Sequence, residues 1–100
     1  MGILCNWSDK EESKGEYIQE GQIVIIKFIT EELNHQKPIT IHDENTLRMA
    51  LQMFKDAIGL PNRKIQKVTY EGDSSELNVK QKIKDLNIDY NRNLAVYFKN

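Results

Sequence analysis

A β-branched, mostly apolar run, IVIIKFI at positions 23–29, constrains the fold more than any other feature of the sequence. Its length and its β-branched side chains are typical of a strand that is covered on at least part of both faces. Residues 37–42 (KPITIH) alternate apolar and polar side chains, which predicts a second strand after a hairpin loop over 30–36. Because Pro38 has no N–H group to donate, we expect this second strand to lie at a sheet edge.

A helical spacing of apolar residues follows the two strands and predicts a helix over about 46–58. Asn45 or Thr46 supplies the side-chain oxygen that caps its start, and Gly59 is the left-handed residue that ends it. Four apolar residues share one face of this helix: Leu47, Leu51, Phe54 and Ile58.

The rest of the chain predicts three further strands. One runs over about 65–70, a short one lies near residues 76–77, and the last covers 93–99. A single helical turn is expected within about 79–86. The predicted order is therefore two strands, a helix, two strands, a short turn and a final strand.

Charge divides the chain into two parts. Residues 1–21 carry a net charge of −3, and residues 8–16 (SDKEESKGE) contain no apolar side chain. Such a segment buries too little surface to offset its ordering entropy, so we expect a flexible acidic tail over 1–21 and one domain over 22–100. The domain carries +2, and the chain as a whole −1, which argues against nucleic acid as a partner.

Three short sequence motifs in the domain resemble those of a known family. Residues 59–61 (Gly-Leu-Pro) resemble the Gly-Ile-Pro of ubiquitin, and residues 70–72 (Tyr-Glu-Gly) resemble its Phe-Ala-Gly. Residues 83–88 (IKDLNI), followed by Leu-Ala-Val at 94–96, resemble its Leu-Ser-Asp-Tyr-Asn-Ile before the last strand. The resemblance covers about residues 22–99. It implies an α+β, ubiquitin-like β-grasp fold, with a mixed five-stranded sheet in the order 2-1-5-3-4 and the helix across one face.

The same resemblance indicates two functional differences. Ubiquitin is conjugated through a C-terminal arm that ends in Gly-Gly, whereas this sequence stops at Phe98-Lys99-Asn100, so we expect a non-conjugating relative. The isoleucine at the centre of ubiquitin's recognition patch corresponds to Thr69, and the patch's His and Val positions correspond to Ala95 and Tyr97. Ordinary ubiquitin readers are therefore not expected to bind.

Strand periodicity predicts a different docking surface on the outer face of the sheet, away from the helix. Val24, Ile26 and Phe28 are expected to point toward the helix, which leaves Ile23 and its alternate neighbours outside. The predicted protein-binding surface has an apolar and aromatic centre bordered by lysines. Its residues are Ile25, Lys27, Ile29, Lys67, Thr69, Ala95, Tyr97 and Lys99. The alternative is that the tail, with Trp7, Tyr17 and Ile18, folds back over this face.

Two further features of the sequence suggest surface sites. Met49 and Met53 are predicted on the side of the helix away from the core, where flexible thioethers suit an adaptable docking site; the alternative is ordinary exposed methionines. The N-terminal Met-Gly-Ile-Leu-Cys makes Gly2 a candidate for myristoylation and Cys5 a candidate for palmitoylation, which together would tether the chain to a membrane.

No catalytic constellation emerges from the sequence. His35 is expected in the hairpin loop and His42 at the end of strand 2, with no second ligand at metal-binding spacing. The single cysteine, Cys5, has no base beside it and no partner for a disulfide. We therefore expect no enzyme activity, no metal and no cofactor.

These observations favour a non-catalytic ubiquitin-like interaction module. It would be cytoplasmic, monomeric as a folding unit, and an adaptor or small subunit of a larger assembly, cytoskeletal or otherwise, docking through the outer sheet face. Two alternatives stay open. One is the adaptor tethered by acylation at Gly2 and Cys5. The other is a small-GTPase-binding or Phox-and-Bem-type β-grasp domain, because Lys27 resembles the basic residue that such domains pair with acidic partners.

Overall fold

The chain forms a mixed β-sheet that packs against one α-helix. The computed structural model describes residues 17–30 and 32–99. The elements are β1 (Ile23–Thr30), β2 (His35–His42), α1 (Leu47–Ala57), β3 (Ile65–Tyr70), a 3-10 turn (Ile83–Leu86) and β4 (Asn93–Phe98).

The sheet has the order β2-β1-β4-β3. β1 runs antiparallel to β2 and parallel to β4, and β4 runs antiparallel to β3. The central parallel pair, and the position of Pro38 on an edge strand, are as expected from the sequence.

The expectation of five strands is wrong for the described residues, which form four. The segment near residues 76–77 makes one isolated bridge, Thr69 with Glu76, and one hydrogen bond from the Leu77 N–H to the Val68 carbonyl at 2.8 Å. Just before it, the Asp73 carboxylate accepts from the N–H groups of the next two residues at 2.7 and 3.4 Å. These local bonds hold the backbone in a turn, which leaves too little extended chain to form a ladder.

The hairpin loop is shorter than predicted, because β2 begins at His35 rather than at residue 37. The Thr30 hydroxyl accepts from the His35 N–H at 3.2 Å, and Asn34 adopts φ 58°, so the turn closes tightly. His35 is therefore a strand residue and not a loop residue. The helical turn expected over about 79–86 is likewise confined to Ile83–Leu86, and Asn87 ends it in the left-handed region at φ 51°.

The helix begins and ends close to where its capping residues place it. The Thr46 hydroxyl accepts from the Met49 N–H at 3.3 Å, and Gly59 follows the helix with φ 81°. The buried face of α1 packs on β1, where the rings of Phe28 and Phe54 lie 5.2 Å apart. Of the β1 positions predicted to point inward, Ile26 and Phe28 are buried and Val24 is half-buried. Leu94, Val96 and Phe98 of β4 are buried in the same core.

Candidate functional site

The most exposed large apolar side chains of the described chain lie together at the start of β1. Ile23 is 64% exposed and Ile25 is 53% exposed, and both belong to the outer set of alternate β1 positions, whose inner set includes the buried Ile26 and Phe28. A shallow depression of about 450 Å³ beside them is also lined by Lys27 and Tyr90. We call Ile23, Ile25, Lys27 and Tyr90 the β1 patch.

The two polar members of the β1 patch are held by the loop that precedes β4. The Lys27 ammonium group donates to the Asn91 carbonyl at 3.4 Å, which positions its charge next to the apolar centre. Tyr90 is half-buried, and this burial raises the pKa of its phenol. The β1 patch therefore offers two aliphatic side chains, an aromatic ring and one cation.

Three residues of the predicted docking surface are buried. Ile29 pairs with Ala95, and Ala95 pairs with Thr69, so the three form one row across the middle of the sheet. Their exposed fractions are 8%, 1% and 1%. Consecutive residues of β1 and of β4 are buried at this level, so both faces of the sheet are covered along the row and its side chains present little surface to a partner.

The remaining strand residues of that prediction lie beyond the buried row. Lys67 and Tyr97 pair across β3 and β4, with the Lys67 ammonium group 5.1 Å from the centre of the Tyr97 ring. Lys99 is exposed, and its N–H donates to the Lys64 carbonyl at 2.8 Å. The predicted continuous surface is thus divided, with the β1 patch on one side of the row and the Lys67–Tyr97 pair on the other.

The helix methionines do not project freely into solvent. Met49 and Met53 are both half-buried and pack against the hydrophobic core. The core-facing stripe of α1 is wider than the narrow face used to predict their direction, since a globular helix buries an arc of 100° or more. Their side chains therefore contribute to core packing and are only partly accessible to a partner.

Two residues of the β1 patch are not among the predicted docking residues. Alternation along β1 places Ile23 on the outer face, although the predicted binding set begins at Ile25. Tyr90 lies in an irregular loop, where no periodicity indicates which way a side chain points. Gly2, Cys5 and Trp7, by contrast, lie outside the described residues.

The segment before β1 is joined to the last residue of β2 and to the loop that follows it. The Tyr17 hydroxyl accepts from the His42 N–H at 3.0 Å and lies 2.9 Å from its Nδ1. Ile18 exchanges two hydrogen bonds with the Asn45 side chain, at 2.7 and 2.8 Å. Tyr17 and Ile18 are each 38% exposed, so they border the domain without being enclosed by it.

Within residues 17–30 and 32–99, no three His, Cys, Asp or Glu side chains are grouped as a metal ion would require. No helix in those ranges has the length and apolar character needed to cross a bilayer.

Comparison with known proteins identifies the fold. No protein-family model matches the chain, and no curated protein matches it. Among solved structures, a de novo designed protein based on ubiquitin is similar, with a TM-score of 0.61 and 19% sequence identity over 77% of this chain and 89% of that one. The chain has a ubiquitin-like β-grasp fold. A similarity at this identity defines the architecture, and the function has to be argued from the surface.

Proposed function

We propose that this protein is a non-catalytic protein-interaction module that docks a partner protein on the β1 patch. The observation that carries the proposal is the exposure of Ile23 and Ile25 next to each other on one face of a strand. An aliphatic cluster in water is an unfavourable arrangement that a partner relieves by burying it.

The composition of the β1 patch supports a protein partner. Interfaces have an apolar centre and a polar rim, with aromatic residues enriched at the centre. Ile23 and Ile25 supply the centre, Tyr90 the aromatic ring, and Lys27 the rim. We infer a partner segment with apolar side chains and a carboxylate that reaches Lys27.

The neighbouring edge strand favours docking on the face of the sheet rather than pairing at its edge. β2 is the edge strand beside β1, and Pro38 interrupts its row of N–H donors opposite Lys27. A proline on an edge strand discourages the addition of another strand. The contact would therefore be made by side chains on the outer face.

The test is affinity purification from native extract with the full chain as bait. The partner that is recovered is then purified for binding measurements. Ile25→Asp is expected to weaken that binding at least about 30-fold, because a central hot spot contributes about 2 kcal/mol or more. Asn62→Asp adds the same charge in the exposed turn after α1 and should leave affinity unchanged. Circular dichroism melts confirm that both variants fold; equal affinity of Ile25→Asp and wild type contradicts the proposal.

A role in a larger assembly and the absence of conjugation to other proteins stay predictions. The subunit composition of the purified complex tests the predicted role in a larger assembly. Mass spectrometry of cellular adducts bears on the second: a lysine linked to the C-terminus of this chain would contradict it.

A further inference from the structure

We propose that the groove between α1 and β3 binds an extended acidic peptide of a partner protein. The groove lies along β3, at the sheet edge opposite to β2, and is separated from the β1 patch by β4. The inference goes beyond the proposed function, and neither depends on the other.

The groove follows the part of an edge strand that the chain leaves uncovered. β3 pairs with β4 on one side only. On its other side, Glu76 and Leu77 cover the end of the strand through the Thr69 bridge and the Val68 carbonyl. Residues 64–67 instead line an open groove of about 910 Å³ whose other wall is α1.

The charge of the groove determines which partner it suits. Seven basic and two acidic side chains line it. Glu44 and Lys82, one acid and one base of this lining, pair at 3.0 Å, and Lys84 also contacts Glu44 at 2.7 Å, so basic side chains remain in excess. Lys64 and Lys80 are exposed and take no part in the salt bridges of the described chain. An excess of positive charge between two walls attracts acidic ligands and repels basic ones.

Lys55 gives the groove a second preference for carboxylates. Its ammonium group is partly buried and donates to the Arg63 carbonyl at 2.9 Å, and this burial lowers its pKa. A carboxylate placed beside it would stabilise the charged form and offset the cost of desolvation. Two of the three ammonium protons are available for such a contact.

Apolar side chains in the groove favour an extended conformation of the peptide. Leu77, Val79 and Met49 are half-buried and line the groove among the lysines. A strand places alternate side chains on opposite faces, so one face of a bound peptide would carry carboxylates and the other apolar groups. Strand addition to an uncovered edge supplies main-chain hydrogen bonds, and side-chain pockets supply specificity.

The test uses a fluorescein-labelled peptide of ten residues in which Glu and Val alternate, titrated with the full chain in a polarisation assay. Saturable binding that weakens as salt rises is expected. Lys64→Glu and Lys80→Glu together should weaken peptide binding at least about tenfold, because two positive charges that attract the peptide carboxylates are replaced by negative charges that repel them. Lys37→Glu changes the same charge on exposed β2, at the other edge, and should leave it unchanged.

Three results would overturn the inference. The first is no saturable binding to the full chain, and the second is equal weakening by Lys37→Glu. The third is binding that appears only when Glu11 and Glu12 are changed to Lys, because the chain's own N-terminal segment would then be the occupant. Ile25→Asp should not alter peptide binding, so failure here is distinguishable from failure of the β1 patch.

Discussion

Asn45 joins three parts of the fold through one buried side chain. It is 2% exposed; its amide exchanges two hydrogen bonds with Ile18 and donates to the His42 carbonyl at 2.9 Å. The sequence predicts either Asn45 or Thr46 as the N-cap of α1. In the structure Thr46 is the N-cap, and Asn45 instead bonds the segment before β1. No local pattern identifies that second role, because its partner is 27 residues away.

Removal of the Asn45 side chain should therefore destabilise the whole domain. Asn45→Ala removes a buried side chain and the partners of the partly buried Ile18 N–H and carbonyl, and we expect the free energy of unfolding to fall by about 1–3 kcal/mol. Asn62→Ala, in an exposed turn, is the matched control and should change it by less than about 0.5 kcal/mol. Urea denaturation measures both; equal stability of the two variants would remove the structural role given to Asn45.

The prediction that Ile29, Thr69 and Ala95 are exposed is wrong, since all three are buried. Alternation assigned these residues to the outer face. It did not show that both faces of the sheet are covered along this row, because that depends on how the strands and loops pack. Ile23 and Ile25 are exposed at the start of β1, before the part of the strand that pairs with β4, and this exposure also depends on the register.

At the scale of elements, α1 is held by its apolar face. Phe54 is fully buried against Phe28, whereas Met53 is half-buried at the margin of the core. Phe54→Ala should lower the free energy of unfolding by about 3–5 kcal/mol, and Met53→Ala by clearly less. Thermal or urea unfolding compares the two. A larger loss for Met53→Ala would contradict the assigned orientation of the helix.

Glu44 connects the loop before α1 to the region of the 3-10 turn. Its carboxylate accepts from Lys84 and Lys82, and these contacts hold its pKa below the ordinary value. The stabilisation is therefore present above the unfolded-state pKa, near 4.5, and is lost as pH falls through the lower folded-state pKa.

A pH series tests this connection. Glu44→Gln should unfold at a lower urea concentration than wild type at pH 7, and the difference should vanish in strongly acidic solution. Glu32→Gln, an exposed change in the β1–β2 loop, supplies the control. A difference between wild type and Glu44→Gln that persists unchanged into strong acid would show that the carboxylate charge is not the cause.

For the molecule as a whole, the sequence predicted the architecture well and the surface only in part. β1, α1, β3 and β4 agree with their predicted bounds to within about one residue, because each has a clear period and a defined end. The fifth strand predicted near residues 76–77 does not form, because the Asp73 carboxylate accepts hydrogen bonds that favour a turn just before it. The α1–β3 groove was not predicted at all, since it joins elements that are distant in sequence.

The central claim is that partners dock on the β1 patch. Methyl NMR of isoleucine-labelled full chain, titrated with the purified partner, tests it most directly. The methyl groups of Ile23 and Ile25 should shift and saturate with the partner, while those of the buried Ile41 and Ile83 stay in place. Saturated binding with the Ile23 and Ile25 signals unmoved would contradict the claim.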